Sequence, residues 1–420
     1  MLAPVIAIAI FIVIFAVATA RDIHLGILMF PAACLAGVTL AGMPLRDVIS
    51  GFPVGILVLL AGVTYFFGIA HANGTTDRVV RALLARIGKR PTLLPFVFFA
   101  LSAAVAAMGS PQGGFVLAPI GMPVARRSGV HSAVMAIAIN SGISAGGFAP
   151  TSLFGIVSYQ ISRRAGIGVT PLTLQTVSVV VNLLLVVAAL AIFGRGEAGG
   201  PDAGVALDNP DASSASGLSS VHVLTLACMA GLVLSVIACA LAGLEPDVGV
   251  IAFVFGALLT LVAPAIGGPA FQRIDWSTAF AVGGIVTFVG VLQKLGSVDL
   301  LGHGAMTIGT PLLAATVVCM IAGLASAFAS TTGILAALVP LAVPLAQSGA
   351  VPGWALICAL GVCASIVDIS PFSTTGATLI ASAAEGDRPR LRQLLLRWGL
   401  SMIVVGPIVL VPLLAMAGWW

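Results

Sequence analysis

Charge is the scarcest property of this sequence: only 8% of its 420 residues are Asp, Glu, Lys or Arg, against 60% hydrophobic and a mean hydropathy of +1.18. A water-soluble globule carries roughly 25% charged residues, so a soluble domain is excluded and the chain reads as a polytopic membrane protein. Metal-binding spacing is lacking as well. The six cysteines (Cys34, Cys228, Cys239, Cys319, Cys358 and Cys363) sit in apolar stretches without CxxC or companion histidines, and read as small lipid- or core-facing hydrophobes. There is no HExxH zinc motif and no GxGD aspartate pair. All five histidines (His24, His71, His131, His222, His303) fall near the ends of apolar segments, which removes a Ser/His dyad and leaves an intramembrane enzyme without support. The net charge of +4 comes without aromatic-basic interleaving, so no nucleic-acid partner is expected. The apolar run 2–20 lacks a charged flank before it and is long enough to span a bilayer, which reads as a helix rather than a cleaved signal.

What the sequence has in abundance is glycine, 49 residues, and proline, 24. In membrane helices these residues permit close packing and interrupted segments. They also recur in register. Ser144, Pro150, Ser152 and Gly155 are answered by Ser365, Pro371, Ser373 and Gly376, each pair giving the same difference, as in 371 − 150 = 221. Ser110 and Gly113 match Ser330 and Gly333 at 220, and Gly62, Gly68 and Gly74 match Gly284, Gly290 and Gly296 at 222. The chain is a duplicated unit with small insertions.

Ten apolar spans are expected, at 2–20, 24–43, 52–72, 130–160, 170–193, 220–243, 247–265, 276–294, 350–382 and 394–418. Two further stretches, 92–125 and 310–347, are long and interrupted by Ser-Pro-Gln-Gly-Gly or Ser-Thr-Thr-Gly, and read as re-entrant helical hairpins. A Gly-rich turn at membrane depth is tolerated only where protein or a watery cavity surrounds it. With the N-terminus outside, 14 of the 18 Lys and Arg residues fall in the cytoplasm and four (Arg46, Arg163, Arg164, Lys294) outside, the bias the positive-inside rule requires. Both termini then face outward. Five spans separate equivalent elements, so the repeats are inverted. The expected fold is all-α: a first repeat at 1–193, a flexible acidic cytoplasmic linker at 194–219 and a second repeat at 220–420, each repeat holding five spans and one hairpin. Residues 75–90 read as an interfacial amphipathic helix.

Inverted repeats with broken helices mark secondary transporters. Pro150 and Pro371 suit the first turn of a helix, so each long span is expected to break there and restart at the bilayer midplane with free N–H groups. Helix starts at both breaks and both hairpin tips would together form an anion site of backbone and hydroxyl donors. On this reading Ser110, Gln112, Gly113, Ser330, Thr331, Thr332 and Gly333 line the tips, and Thr151, Ser152, Ser373 and Thr374 the half-helix starts, as substrate ligands. The carbonyls and side chains around Asn140, Ser144, Gly147, Ser365, Asp368, Ser370 and Thr375 are candidate ligands for a dehydrated cation such as Na⁺. Asp368 is the one acidic residue in an expected midplane loop, and three roles are open to it: cation ligand, proton exchanger, or Ser-capped structural group. Its counterpart in the first repeat is Gly147.

This order of span, amphipathic helix, hairpin, broken span and span, twice over and inverted, resembles the ion transporter superfamily. Within it the chain is most similar to the divalent anion:sodium symporters, in their malonate and dicarboxylate carrier branch. That family places Ser-Asn-Thr at each hairpin tip; here the positions read Ser110-Pro111-Gln112 and Ser330-Thr331-Thr332, with serine kept and asparagine absent from both. The resemblance implies Na⁺-coupled symport of a small dicarboxylate such as malonate, malate or succinate, an elevator mechanism, a homodimer and a bacterial-type cytoplasmic membrane. The competing expectations are proton coupling, a sodium/proton antiporter, and an arsenite-type exporter of the same superfamily.

Overall fold

The computed structural model describes residues 2–21, 23–76, 78, 92–194, 219–241, 247–297, 300, 310–327, 331–347, 349 and 351–417. Most of the 75–90 segment, the 194–219 linker apart from its two end residues, and Ser330 lie outside them, and Gln112 and Gly113 are described by their backbone alone. Among the described residues the chain is all helix and turn, without strand. Among the described residues four stretches are long and apolar enough to cross a membrane, Leu45–Ala72, Pro171–Phe193, Trp276–Lys294 and Glu385–Ala417, and nine shorter apolar helices accompany them.

Numbered in chain order, the first nine described α-helices are α1 (Leu2–Arg21), α2 (Leu25–Thr39), α3 (Leu45–Ser50), α4 (Val54–Ala72), α5 (Leu94–Ala107), α6 (Ala118–Arg127), α7 (Ser132–Gly147), α8 (Leu153–Arg164) and α9 (Pro171–Phe193). A 3-10 helix, Pro111–Leu117, joins α5 to α6. The next nine are α10 (Ser220–Leu241), α11 (Val248–Val262), α12 (Pro264–Gln272), α13 (Trp276–Lys294), α14 (Pro311–Ser326), α15 (Thr331–Gln347), α16 (Gly353–Ile366), α17 (Thr374–Ser382) and α18 (Arg388–Ala417). Helix starts recur along the chain: 276 − 54 = 222 for α4 and α13, 353 − 132 = 221 for α7 and α16, and 374 − 153 = 221 for α8 and α17.

Local chemistry sets these boundaries. The α9 start combines Thr170, whose hydroxyl accepts the N–H of Thr173 at 3.1 Å, with Pro171 in the first turn, where its missing N–H costs nothing. Asp247 caps α11 by accepting from Gly249 and Val250 at 3.0 and 3.1 Å, and Asp275 caps α13 by accepting from Thr278 at 2.9 Å. Helices α4 and α13 stop the same way: Gly74 and Gly296 take φ of 74° and 72°, a left-handed conformation that disfavours side chains, and their N–H groups bond back to His71 and Gln293.

Packing is reciprocal between the two sets. A methyl group at Gly26 in α2 would lie 2.3 Å from the carbonyl oxygen of Phe280 in α13. One at Gly249 in α11, 223 residues on, would lie 2.4 Å from the Cα of Leu59 in α4. Helix α2 therefore crosses α13 as α11 crosses α4, each at a glycine that lets the backbones touch. The same device seats α7 on α5, where methyl groups at Gly142 and Gly146 would meet the carbonyls of Phe99 and Ala103 at 2.3 and 2.1 Å.

Candidate functional site

Two of the long apolar segments do break. Helix α7 ends at Gly147 and α8 starts at Leu153; α16 ends at Ile366 and α17 starts at Thr374. The prolines do not open the new helices, as the sequence suggested. Pro150 is the second residue of a turn closed by the Ser152 N–H on the Ala149 carbonyl at 2.9 Å, and Pro371 sits in the equivalent turn closed by Ser373 on Ser370 at 2.9 Å. A fixed φ near −65° suits that corner of a β-turn as well as it suits a helix start. The N-caps are Ser152 and Ser373, both extended, with φ/ψ of −116°/157° and −86°/159°. Each turn folds against the following helix so tightly that a methyl group at Gly155 would lie 2.2 Å from the Ala149 carbonyl oxygen, and one at Gly376 2.1 Å from that of Ser370.

The two broken helices meet through equivalent residues: the Ser144 hydroxyl donates to the Ser365 hydroxyl at 2.5 Å, and Ser365 donates to the Val362 carbonyl at 3.0 Å. Both serines are buried, as are Asn140 in α7 and Ser370 in the second break.

The hydroxyls of the two breaks have different fates. In the first, Thr151 donates to the Ala107 carbonyl at 2.6 Å and Ser152 to Ala106 at 2.8 Å, satisfying carbonyls that the end of α5 leaves open. Ser152 makes no side-chain cap to its own helix. In the second, Ser373 accepts the N–H of Gly376 at 3.1 Å and its hydroxyl lies 2.5 Å from the Asp368 carbonyl oxygen and 2.8 Å from that of Ser370. Thr375 donates to the Asp368 carboxylate at 3.2 Å, while the Thr331 hydroxyl pairs with that of Ser326 at 2.9 Å. Gly147, which occupies the corresponding place in the first break, has no room for a carboxylate: a Cβ there would lie 2.5 Å from the Phe154 ring and 3.1 Å from Pro111.

A cavity of about 640 Å³ opens onto this second break. Thr331, Thr332 and Gly333 from the start of α15 line it, with Asp368, Phe372, Ser373, Thr374 and Thr375. Two helix N-termini, those of α15 and α17, thus border one space with their first-turn hydroxyls, a setting that favours negative charge. Of the tip residues expected from the first repeat, Ser110 is half-buried and does not line this cavity; neither do Thr151, Ser152, Asn140, Ser144, Gly147, Ser365 or Ser370. From the first hairpin and the first broken helix come Pro111, Ile143, Leu153 and Phe154 instead.

The first 147 of the 420 residues match the family model described as the dicarboxylate carrier protein MatC N-terminus. The match ends where α7 ends, at the first break. It supports a dicarboxylate carrier family and, with the apolar helices, a multi-pass membrane transporter rather than an enzyme. A comparison with curated proteins gives no match.

The far wall of the cavity escaped the sequence reading. Phe15, Ala18, Ile23, His24 and Leu25 from the α1–α2 junction face it, with Asp275, Ser277, Thr278, Ala281 and Val282 from the start of α13. The His24 Nε2 lies 2.9 Å from the Ser277 carbonyl oxygen, an acceptor only, so the proton sits on Nε2. Asp275 accepts from the Thr278 hydroxyl at 2.8 Å. His24 and Asp275 stand at span ends, where a polar residue ordinarily marks the interface, and only the crossing of α2 over α13 brings them to one space.

Proposed function

We propose that this protein is a secondary transporter of small dicarboxylates, coupled to Na⁺, working by an elevator movement in the manner of the divalent anion:sodium symporters. The single observation that carries the reading is the second break: a carboxylate, three hydroxyls and two helix N-termini beside one cavity, in a chain whose first third matches a dicarboxylate carrier model. Asp368 supplies a cation ligand, with Thr331, Ser373 and Thr375 as neighbouring oxygens. The Thr332 and Thr374 hydroxyls and the N-termini of α15 and α17 supply donors for carboxylate oxygens.

Electrostatics explains why a cation is needed. A dianion approaching Asp368 in a medium of low dielectric meets like charge, and coupling ions remove that repulsion. The loaded site then crosses the apolar barrier more readily than a half-loaded one, and each net positive charge carried inward adds about 2.3 kcal/mol per 100 mV of membrane potential.

The contacts that recur between helices 221 to 223 residues apart support two inverted repeats of five spans and a hairpin, with Ser144 and Ser365 on the axis that relates them. With both termini outside, the α1–α2 junction and the turn before α13 carry Arg21 and Arg273 on the cytoplasmic side, so the cavity here is open inward. The hairpins and α7–α9 with α16–α18 form the moving body, α1–α4 and α10–α13 the fixed one, within a homodimer in a bacterial-type cytoplasmic membrane.

Uptake of radiolabelled mono-, di- and tricarboxylates into proteoliposomes, with and without an inward Na⁺ gradient, tests this. Dicarboxylate uptake that requires Na⁺ is expected. Uptake that persists with choline in place of Na⁺ and follows a proton gradient instead would replace the coupling ion, and absence of any carboxylate uptake would end the reading.

A further inference from the structure

The lining of the cavity is short of positive charge. Among the described residues that form it there is no lysine or arginine, and two are carboxylates, Asp275 and Asp368. Asp275 is engaged at the start of α13, where it accepts the N–H and the hydroxyl of Thr278 at 2.9 and 2.8 Å. A cation at Asp368 cancels that carboxylate, but the two charges of an incoming dicarboxylate are then left to hydroxyls and helix N-termini alone. One lining residue can carry a positive charge, His24.

His24 stands on the far wall, where the α1–α2 junction meets the start of α13. It occupies the N-cap position of α2 but makes no side-chain cap to that helix. The ring crosses to α13 instead, with Nε2 at 2.9 Å from both the carbonyl oxygen and the hydroxyl of Ser277. With the proton of the neutral ring on Nε2, Nδ1 carries only a lone pair, and this nitrogen is buried without a hydrogen-bond partner. Buried polar atoms are nearly always paired. One left open on a residue that lines a cavity points to a partner that arrives with the ligand.

Resting on the dicarboxylate reading above, we propose that His24 is a specificity-determining residue of the site: as an imidazolium it holds one substrate carboxylate on Nδ1 while Nε2 keeps its bond to the Ser277 carbonyl. The second proton comes from water in the cavity and becomes the Nδ1–H that donates to the carboxylate, so one positive charge enters with each dianion. Nδ1 is covered in this state, and its cover parts as the substrate seats. The other carboxylate is left to the Thr332 and Thr374 hydroxyls and the N-termini of α15 and α17. His24 thus reads whether a second carboxylate is present.

The test uses the full-length transporter in proteoliposomes and compares inhibition of radiolabelled malonate uptake by unlabelled malonate and by malonamate, its monoamide, which keeps the shape and lacks one carboxylate. The parent is expected to bind malonate at least about tenfold more tightly than malonamate, the worth of a hydrogen bond between charged groups. His24→Ala should cost malonate at least about tenfold and malonamate little, so that the two become nearly equal. His24→Gln, which keeps a donor without the charge, should fall between. If a variant transports too slowly, the same ratio is read from the rise in melting temperature that each compound gives the detergent-solubilised protein. A His24→Ala that weakens both compounds by the same factor, or that lowers the melting temperature and leaves their ratio unchanged, gives the ring a structural role; it overturns this inference and leaves the dicarboxylate reading standing. So does a parent that binds malonate and malonamate equally. Absence of uptake or binding of every carboxylate by the parent overturns both.

Discussion

Replacing Gly376 with alanine tests whether the restart of α17 positions the site. The added methyl group would lie 2.1 Å from the Ser370 carbonyl oxygen and 2.4 Å from that of Ile369, where 3.0 Å is the closest approach a Cβ tolerates. Both obstacles are backbone atoms, so no side chain can swing aside, and the α17 start must retreat by 3.0 − 2.1 = 0.9 Å. The Thr375 hydroxyl sits 3.2 Å from the Asp368 carboxylate, and a retreat of this size is enough to take it past hydrogen-bonding distance. Overpacking of this kind costs roughly 1–3 kcal/mol, and a misplacement of about 1 Å at a reacting or binding site costs on the order of 100-fold in rate. Dicarboxylate uptake should therefore fall about 100-fold, with a lower melting temperature of the detergent-solubilised protein. Gly290→Ala is the control, since nothing lies within 4 Å of its Cβ position; it should behave as the parent. If Gly376→Ala transports and melts like the parent, the turn does not fix the helix start and the site geometry argued above is wrong.

Asp368→Asn keeps the size and removes the charge; uptake should drop at least about fivefold, the low end of typical coupling energies, and lose its response to Na⁺, and a variant still stimulated by Na⁺ rules this carboxylate out as the cation ligand. Ser365→Ala leaves the buried Ser144 hydroxyl without its acceptor, costing roughly 1–3 kcal/mol, whereas Ser144→Ala leaves Ser365 bonded to Val362. Thermal melts should therefore rank Ser365→Ala below Ser144→Ala, with the double variant close to Ser144→Ala, and equal single-variant losses would contradict the donor direction assigned here. Alkaline phosphatase fused after residue 210 should be inactive and fused after residue 420 active; the reverse pattern would invert the proposed topology.

Glycine and proline made most of the architecture legible, because each has a backbone consequence that neighbouring residues cannot cancel. The interruptions at 110–113, 147–152 and 367–373 were visible as polar, Gly- or Pro-containing runs inside apolar segments too long for one helix. Pro150 and Pro371 misled by three residues, since a fixed φ serves a turn corner and a helix start equally and only the Ser152 and Ser373 N–H bonds decide between them. In the site, Thr331, Thr332, Gly333, Asp368, Ser373, Thr374 and Thr375 come together, as their shared half implied. Thr151 and Ser152 went elsewhere because the carbonyls of Ala106 and Ala107 needed donors, a demand that is invisible until α5 packs against the break. His24 and Asp275 were missed because contact across about 250 residues of sequence leaves no local pattern.

A duplicated backbone need not carry duplicated chemistry, and here the departure is traceable to two positions. Asp368 answers Gly147, and Phe372 answers Thr151. Where Gly147 stands, the Phe154 ring and Pro111 fill the space a carboxylate would take; where Phe372 stands, the hydroxyl that would hold down the preceding helix is replaced by a ring left 53% exposed. The first exchange gives a carboxylate to one break and denies it to the other, and the second gives the same break an exposed ring. Symmetric helix starts thus supply the frame for a site, while the unequal side chains decide which of the two breaks carries its carboxylate.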